Sequence, residues 1–192
     1  MSDSTEQSEN STALLSSKAK WTFVIIAALI LIFDQWTKTA IVQSFEYAEK
    51  LPITDYFDLT RLHNYGAAFS FLSEAGGWQK FFFITLGTVV TVGILIWLFR
   101  FAKSSEKLLA TALSLIMAGA IGNVIDRVVY GYVVDFLLFQ FEFLKNTMPS
   151  IFPTGHYPAF NVADIAICCG AVLLIVDWIR EIRRESLKKK SI

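Results

Sequence analysis

FNVADIAICCGAVLLIVDW, residues 160–178, is long and apolar enough to cross a bilayer, yet Asp164 stands near its start. A helix needs roughly 20 mostly apolar residues to span the hydrocarbon core, at about 1.5 Å per residue. A carboxylate within that core costs from about 3 to more than 10 kcal/mol, depending on the reference state, so an acid there is expected to have a partner or a chemical task. This stretch therefore predicts a membrane helix whose first turn carries function.

Three further stretches pass the same length test, at about 21–42, 81–99 and 108–125, with the quoted run extending over about 159–179. The 192-residue chain is 54% hydrophobic and only 18% charged, whereas a soluble domain carries about a quarter charged residues. An α-helical integral membrane protein with four spans is the expected fold. Most of its basic residues fall on one side of these spans: Lys18, Lys20, Arg100, Lys103, Lys107, Arg180, Arg183, Arg184, Lys188, Lys189 and Lys190. Lys38, Lys50, Arg61, Lys80, Arg127 and Lys145 fall on the other. The positive-inside rule then places both termini in the cytoplasm. A net charge of zero gives no reason to expect a nucleic-acid partner.

The first twenty residues, MSDSTEQSENSTALLSSKAK, hold few core-forming side chains and read as a disordered cytoplasmic tail. No small-residue cleavage site follows the first apolar run, which is read as an anchor and not as a removed leader. Residues 21–182 form one membrane domain in this reading, and 183–192 a basic cytoplasmic tail. Between the spans, residues 43–80 contain YFDLTRLHN and AAFSFL, broken by Asn64-Tyr65-Gly66 and Gly76-Gly77, which predicts a small sheet or hairpin lying on the outer membrane face. Residues 128–158 carry VVYGYVVDFLLF and then the proline-bearing KNTMPSIFPTGHYP.

Asp34, Lys38, Arg127 and Asp164 all fall at outer span ends, whereas Asp177 sits at the inner interface beside Trp178 and Arg180. Asp135 lies in the strand-like VVDF on the same outer face as Asp164. Two carboxylates a few Å apart in low-dielectric surroundings cannot both ionise cheaply, so such a pair shares one proton. Its ionised member can activate water while its protonated member polarises a carbonyl, which is peptide-bond hydrolysis. Asn123 and Arg127 share a helix face by their i,i+4 spacing and could orient substrate backbone or phosphate-like groups. Asp34 and Lys38 have the same spacing and suit an internal ion pair.

Other features have structural readings. Cys168 and Cys169 are neighbours that point in different directions, so they are read as packing residues. His63 and His156 lack a third ligand, so neither a metal nor another cofactor is expected. Trp21, Trp78 and Trp178 suit an interfacial belt, and Ala118 with Gly122 suits helix packing. A small proton-coupled transporter, with Asp34, Asp135 and Asp164 as a relay, is the rival reading. It lacks the inverted repeat that a transport pathway of this kind usually needs.

The ordered set DQWTK (34–38), NYGAAFS (64–70), GNVIDR (122–127), GYVVDF (131–136) and FNVAD (160–164) resembles the bacterial lipoprotein signal peptidases, or signal peptidase II, over about residues 20–180. The resemblance implies a membrane aspartic protease that removes the signal peptide from diacylglyceryl-modified prolipoproteins, cutting before the lipidated cysteine. It implies Asp135 and Asp164 as the catalytic pair, with Asp126 in support. Asn64, Gly66, Asn123, Arg127, Asn161 and Ala163 would lie at or near the substrate and inhibitor pocket, shaped by Asp34 and Lys38. It also implies an outer β-cradle near residues 44–74, a short periplasmic helix or loop gating the site, inhibition by globomycin-type cyclic peptides, and residence in the inner membrane with the site facing the periplasm. One chain holds every residue the mechanism needs, so a monomer is expected. The sequence departs from the family in its longer polar N-terminus and in the linker of 141–158.

Overall fold

The computed structural model describes residues 13–66, 76–152 and 155–190. Four of its helices are long and apolar enough to cross a membrane: α1 (Ser17–Ser44), α2 (Trp78–Arg100), α3 (Lys107–Val129) and α5 (Val162–Lys190). The short α4 (Glu142–Thr147) lies in the linker between the third and fourth spans, a segment to which the sequence reading assigned no helix. Strands β1 (Lys50–Thr54), β2 (Phe57–Asn64) and β3 (Val133–Phe139) form one antiparallel sheet in that order.

α3 is the central helix, packing against α1, α2 and α5. Its buried face is built from small residues, among them Ala110, Ala112, Ser114, Ala118, Gly119 and Gly122. Lipid tails are as apolar as leucine, so membrane helices associate through close packing, and small side chains permit the close approach. A Cβ added at Gly119 would run into the Ala163 carbonyl oxygen, and one at Gly170 would lie 2.6 Å from the Ala112 carbonyl oxygen. These contacts hold α3 to α5. Large apolar side chains instead point outward, including Trp21, Leu29, Ile32 and Trp36 on α1 and Val172 and Ile175 on α5. Cys168 and Cys169 are exposed on α5 too, which corrects the packing role expected of them.

The N-terminal reading also changes. α1 begins at Ser17, where the Ser16 hydroxyl accepts a hydrogen bond from the Ala19 N–H, so residues 17–20 are helix and not tail. Just before it, the Leu15 N–H donates to the Ala102 carbonyl at 2.8 Å, and the Leu15 side chain is buried with Leu98, Ala102 and Ala110. Average composition concealed this docked leucine. Residues 1–12 lie outside the described residues. At the other end, the basic segment beyond residue 182 continues α5 through Lys190. The segment 181–190 contains neither Gly nor Pro, so nothing stops the helix there.

The sheet extends beyond the expected interval of 44–74, because its third strand comes from the second outer segment. β2 pairs with β1 through Lys50↔Thr60 and Leu51↔Leu59. On its other side it pairs with β3 through Leu62↔Asp135, His63↔Val134 and Asn64↔Val133. β1 is exposed throughout and carries Pro52, as befits an edge strand. β3 is almost wholly buried. Its outer edge is covered by the chain entering α5, with Phe136 and Leu137 N–H both donating to the Phe160 carbonyl. The expected AAFSFL strand lies outside the described residues.

Candidate active site

Three helix ends meet beneath the sheet: the last turns of α1 and α3 and the first turn of α5. The entry to α5 is fixed by a reciprocal cap. The Asp164 N–H donates to Asn161 Oδ1 at 3.0 Å, and the Asn161 N–H donates to Asp164 Oδ2 at 3.2 Å. This capping-box geometry satisfies two otherwise orphaned donors and is worth about 1 kcal/mol. It also aims both side chains into the cluster.

Asn161 joins the two acids. Its Nδ2 donates to Asp135 Oδ1 at 2.7 Å and to Asn123 Oδ1 at 3.3 Å. Asn123 Nδ2 in turn donates to Asp164 Oδ1 at 2.8 Å. The other oxygen of Asp135 accepts from Asn64 Nδ2 at 3.0 Å. Asp135, on β3, and Asp164, on α5, are thus held in one amide network, with Asp135 only 3% exposed. Asp135 stands outside the membrane helices, and its pKa is pushed up to about 7 by burial and then by the Asp164 carboxylate. The amides of Asn64 and Asn161 and the charge of Lys38 oppose that rise.

Below the pair lies a buried ionic layer. Lys38 Nζ is 3.0 Å from Asp34 Oδ2 and 3.0 Å from Asp126 Oδ2, and donates to Asn123 Oδ1 at 3.1 Å. All three ammonium donors are therefore used. Asp34 Oδ1 accepts from the Ala163 N–H at 2.8 Å, tying α1 to the start of α5. Asp126 Oδ2 accepts from the Val134 N–H at 3.0 Å, tying α3 to β3 across the turn in which Gly131 adopts a φ of 87°. Every element that positions an acid is anchored to this layer.

Arg127 reaches the opposite wall. One terminal nitrogen donates to the Gly66 carbonyl at 2.6 Å and the other to the Asn123 carbonyl at 3.2 Å. Its guanidinium lies over the Phe83 ring, 4.7 Å from the centroid. The Gly66 N–H donates to Asn64 Oδ1 at 3.0 Å, closing an Asx-type turn. Arg127 thereby fixes the loop that presents Asn64 to Asp135. All eleven residues expected at the site fall in this assembly, with Ala163 and Asp34 in the helix crossing beneath it. The rest of NYGAAFS lies outside the described residues.

Two contributors escaped the sequence. Gln35 Nε2 shares its two N–H donors among Asp34 Oδ2, the Gly122 carbonyl and Asp126 Oδ1, and Phe83 supplies the face beneath Arg127. Gly122 was read as packing alone, but an added Cβ would lie 2.5 Å from Asp34 Oδ2. Gly122→Val is therefore expected to displace the Asp34–Lys38 pair and lower stability by about 1–3 kcal/mol, the usual cost of overpacking. A melting midpoint equal to that of the unaltered protein in detergent would show that Asp34 can move aside freely.

His63 stacks on Tyr132, with ring centroids 3.7 Å apart, and burial followed by the Arg61 charge lowers its pKa. Neither it nor His156 belongs to the cluster. Among the described residues no group of His, Cys, Asp or Glu is arranged to hold a metal ion.

Residues 26–180 match the family described as Signal peptidase (SPase) II. The chain is 48% identical over 175 residues to the lipoprotein signal peptidase of Cupriavidus necator, covering 91% of each chain. It is 49% identical over 159 residues to that of Ralstonia nicotianae, covering 83% of this chain and 84% of the relative. A solved bacterial membrane enzyme structure, obtained by the in meso method, is similar with a TM-score of 0.69 at 28% identity, covering 84% of this chain and 89% of that one.

Proposed function

The chain belongs to the lipoprotein signal peptidase (signal peptidase II) family of aspartic proteases, a multi-pass membrane enzyme family, and on that premise we propose that Asp135 and Asp164 form its catalytic pair. The observation that supports this is the Asn161 side chain, which joins the network of one carboxylate to that of the other. In the proposed reaction the pair holds one proton. The ionised carboxylate removes a proton from water as the water oxygen attacks the scissile carbonyl carbon, and the protonated carboxyl gives its proton to the carbonyl oxygen. The tetrahedral gem-diol intermediate collapses as the leaving nitrogen takes the proton of the newly formed carboxyl and one hydroxyl of the intermediate returns its proton to the other carboxylate, re-forming the carbonyl. The C–N bond breaks, and one carboxyl and one carboxylate are restored.

The amides hold both acids at fixed angles so that little reorganisation accompanies the reaction. Arg127, anchored on Gly66, shapes the wall where the peptide backbone would lie. The substrate is proposed to be a prolipoprotein whose cysteine carries diacylglycerol, cut just before that cysteine, with the lipid chains entering sideways from the bilayer. The site is proposed to face the periplasm from the inner membrane, with both termini cytoplasmic, because the basic residues collect at the opposite ends of the spans. A single chain supplies all of these residues, so the enzyme is proposed to act as a monomer. A globomycin-type cyclic peptide would place a hydroxyl between the two carboxylates.

Cleavage of a diacylglyceryl-modified precursor, compared with the same precursor left unmodified, tests the substrate. A loss of at least about 100-fold in kcat/KM without the lipid is expected if remote binding energy is used at the transition state. Equal rates would remove the lipid from recognition.

The pH dependence follows from Asp135. Its native pKa of about 7 exceeds the ordinary 3.8, so the folded state binds this proton more tightly than the unfolded state. The stabilisation is present on the acid side and is lost as pH rises toward about 7. The cleavage rate is expected to fall on a separate limb, as pH rises through about 7 and the shared proton leaves the folded enzyme. Asp135→Asn should abolish that dependence of the melting midpoint on pH, and an unchanged slope in the variant would assign it to another group.

A further inference from the structure

At the opposite end of the bundle, Lys107 at the start of α3 and Arg180 and Arg184 on α5 line a cleft of about 410 Å³ with Ser105, Leu108, Thr111 and Asp177. That volume falls within the ~300–1,000 Å³ range of small-ligand pockets. Arg180 and Arg184 are four residues apart and share one face of α5, while Lys107 approaches from the neighbouring helix. Asp177 offsets one of the three positive charges, and Glu181 lies 3.6 Å from Arg184 on the surface. The cleft itself remains cationic. None of these residues contributes to the Asp135–Asp164 cluster.

We propose that this cleft binds the phosphate of an anionic glycerophospholipid from the same leaflet, bridging α3 and α5. The chemistry is that of a phosphodiester: two arginines and a lysine line one cleft, and Arg matches phosphate oxygens bidentately. A lipid source is favoured over a soluble phosphate by what lies next to the cleft. Leu108 forms part of its lining, and Val172, Ile175, Val176 and Ile179 continue along the exposed surface of α5 toward the membrane centre, where acyl chains can lie. Trp178, 66% exposed on the same stretch, marks the interfacial level. A zwitterionic headgroup brings its own cation and gains less from a net positive cleft. α3 and α5 form the most extensively packed helix pair of the molecule and carry Asn123, Asp126, Arg127 and Asp164, so a bridging lipid would brace the scaffold of the active site from its far end.

The test titrates the purified full-length enzyme in neutral detergent with phosphatidylglycerol, phosphatidylcholine or glycerol 3-phosphate, with bound molecules counted by native mass spectrometry. Phosphatidylglycerol is expected to bind preferentially. Arg180→Gln combined with Arg184→Gln should weaken it about 25-fold, which corresponds to about 1 kcal/mol for each cation removed. Arg183→Gln, one basic residue away from the lining, should change it by less than about twofold. An unchanged melting midpoint of the lipid-free variants checks folding. Equal binding of phosphatidylcholine, an unaffected double variant, or equal losses in Arg183→Gln would overturn the proposal. Displacement of the lipid by glycerol 3-phosphate at matching concentration would show a soluble-anion site and overturn the lipid assignment.

Discussion

Asp135→Asn and Asp164→Asn are each expected to lower the cleavage rate of a diacylglyceryl-modified precursor by at least about 10³-fold, near the upper range for loss of a general acid or base. In the proposed mechanism each substitution removes a group that exchanges a proton while leaving its shape nearly unchanged. An asparagine at 135 can still accept from Asn161 through its carbonyl oxygen, so the fold should persist and the melting midpoint should stay near that of the unaltered enzyme at acid pH. If the two acids act as the proposed unit, combining the substitutions should cost little more than either alone, because residues that share one chemical task are strongly non-additive. A gel-shift cleavage assay on the three variants reads all of this. If one single variant retained near-normal cleavage, that residue would leave the pair. Losses that multiplied in the double variant would mean that the acids act in separate steps.

How much of this was legible in the sequence depends on whether the information is local. The four spans are long apolar runs, and their existence follows from composition along each run. The acids stood out because Asp164 interrupts one run and Asp135 an apolar strand. The third strand of the sheet was harder, since β2 and β3 meet across about seventy residues of chain that includes two spans. Gln35 was hidden by helical spacing: it follows Asp34 by one position, which turns it about a quarter of the way round α1, and only the approach of Gly122 and Asp126 from α3 gives it partners. Phe83 looked like any other lipid-facing residue until Arg127 was placed over it. Leu15 was masked by the polar residues around it. What escaped in each case was a contact between distant segments.

The buried Lys38 carries the second large effect. Lys38→Met leaves Asp34 and Asp126, both 0% exposed, facing each other without their cation. Removing one member of a buried ionic cluster typically costs about 3–5 kcal/mol, mostly because the remaining charges are uncompensated. At about 2–4 °C per kcal/mol for a chain of this length, the melting midpoint should fall by roughly 6–20 °C. Simple loss of contact and uncompensated charge predict different outcomes for a neutral cluster. Lys38→Met combined with Asp34→Asn and Asp126→Asn removes the charges, yet each asparagine retains an oxygen to accept from the Ala163 or Val134 N–H. If charge is the cause, this triple variant should recover most of the lost stability; if it melts as low as Lys38→Met alone, packing of the lysine stem is the cause instead. Activity should recover only in part, because the Asn123 oxygen keeps the longer bond from Asn161 but has lost the ammonium that also fixed the angle of its bond to Asp164. Lys38 also lowers the pKa of Asp135, so any residual cleavage by Lys38→Met should have its alkaline limb displaced to higher pH. A limb that stayed in place would separate the stabilising role of Lys38 from any electrostatic influence on the acids.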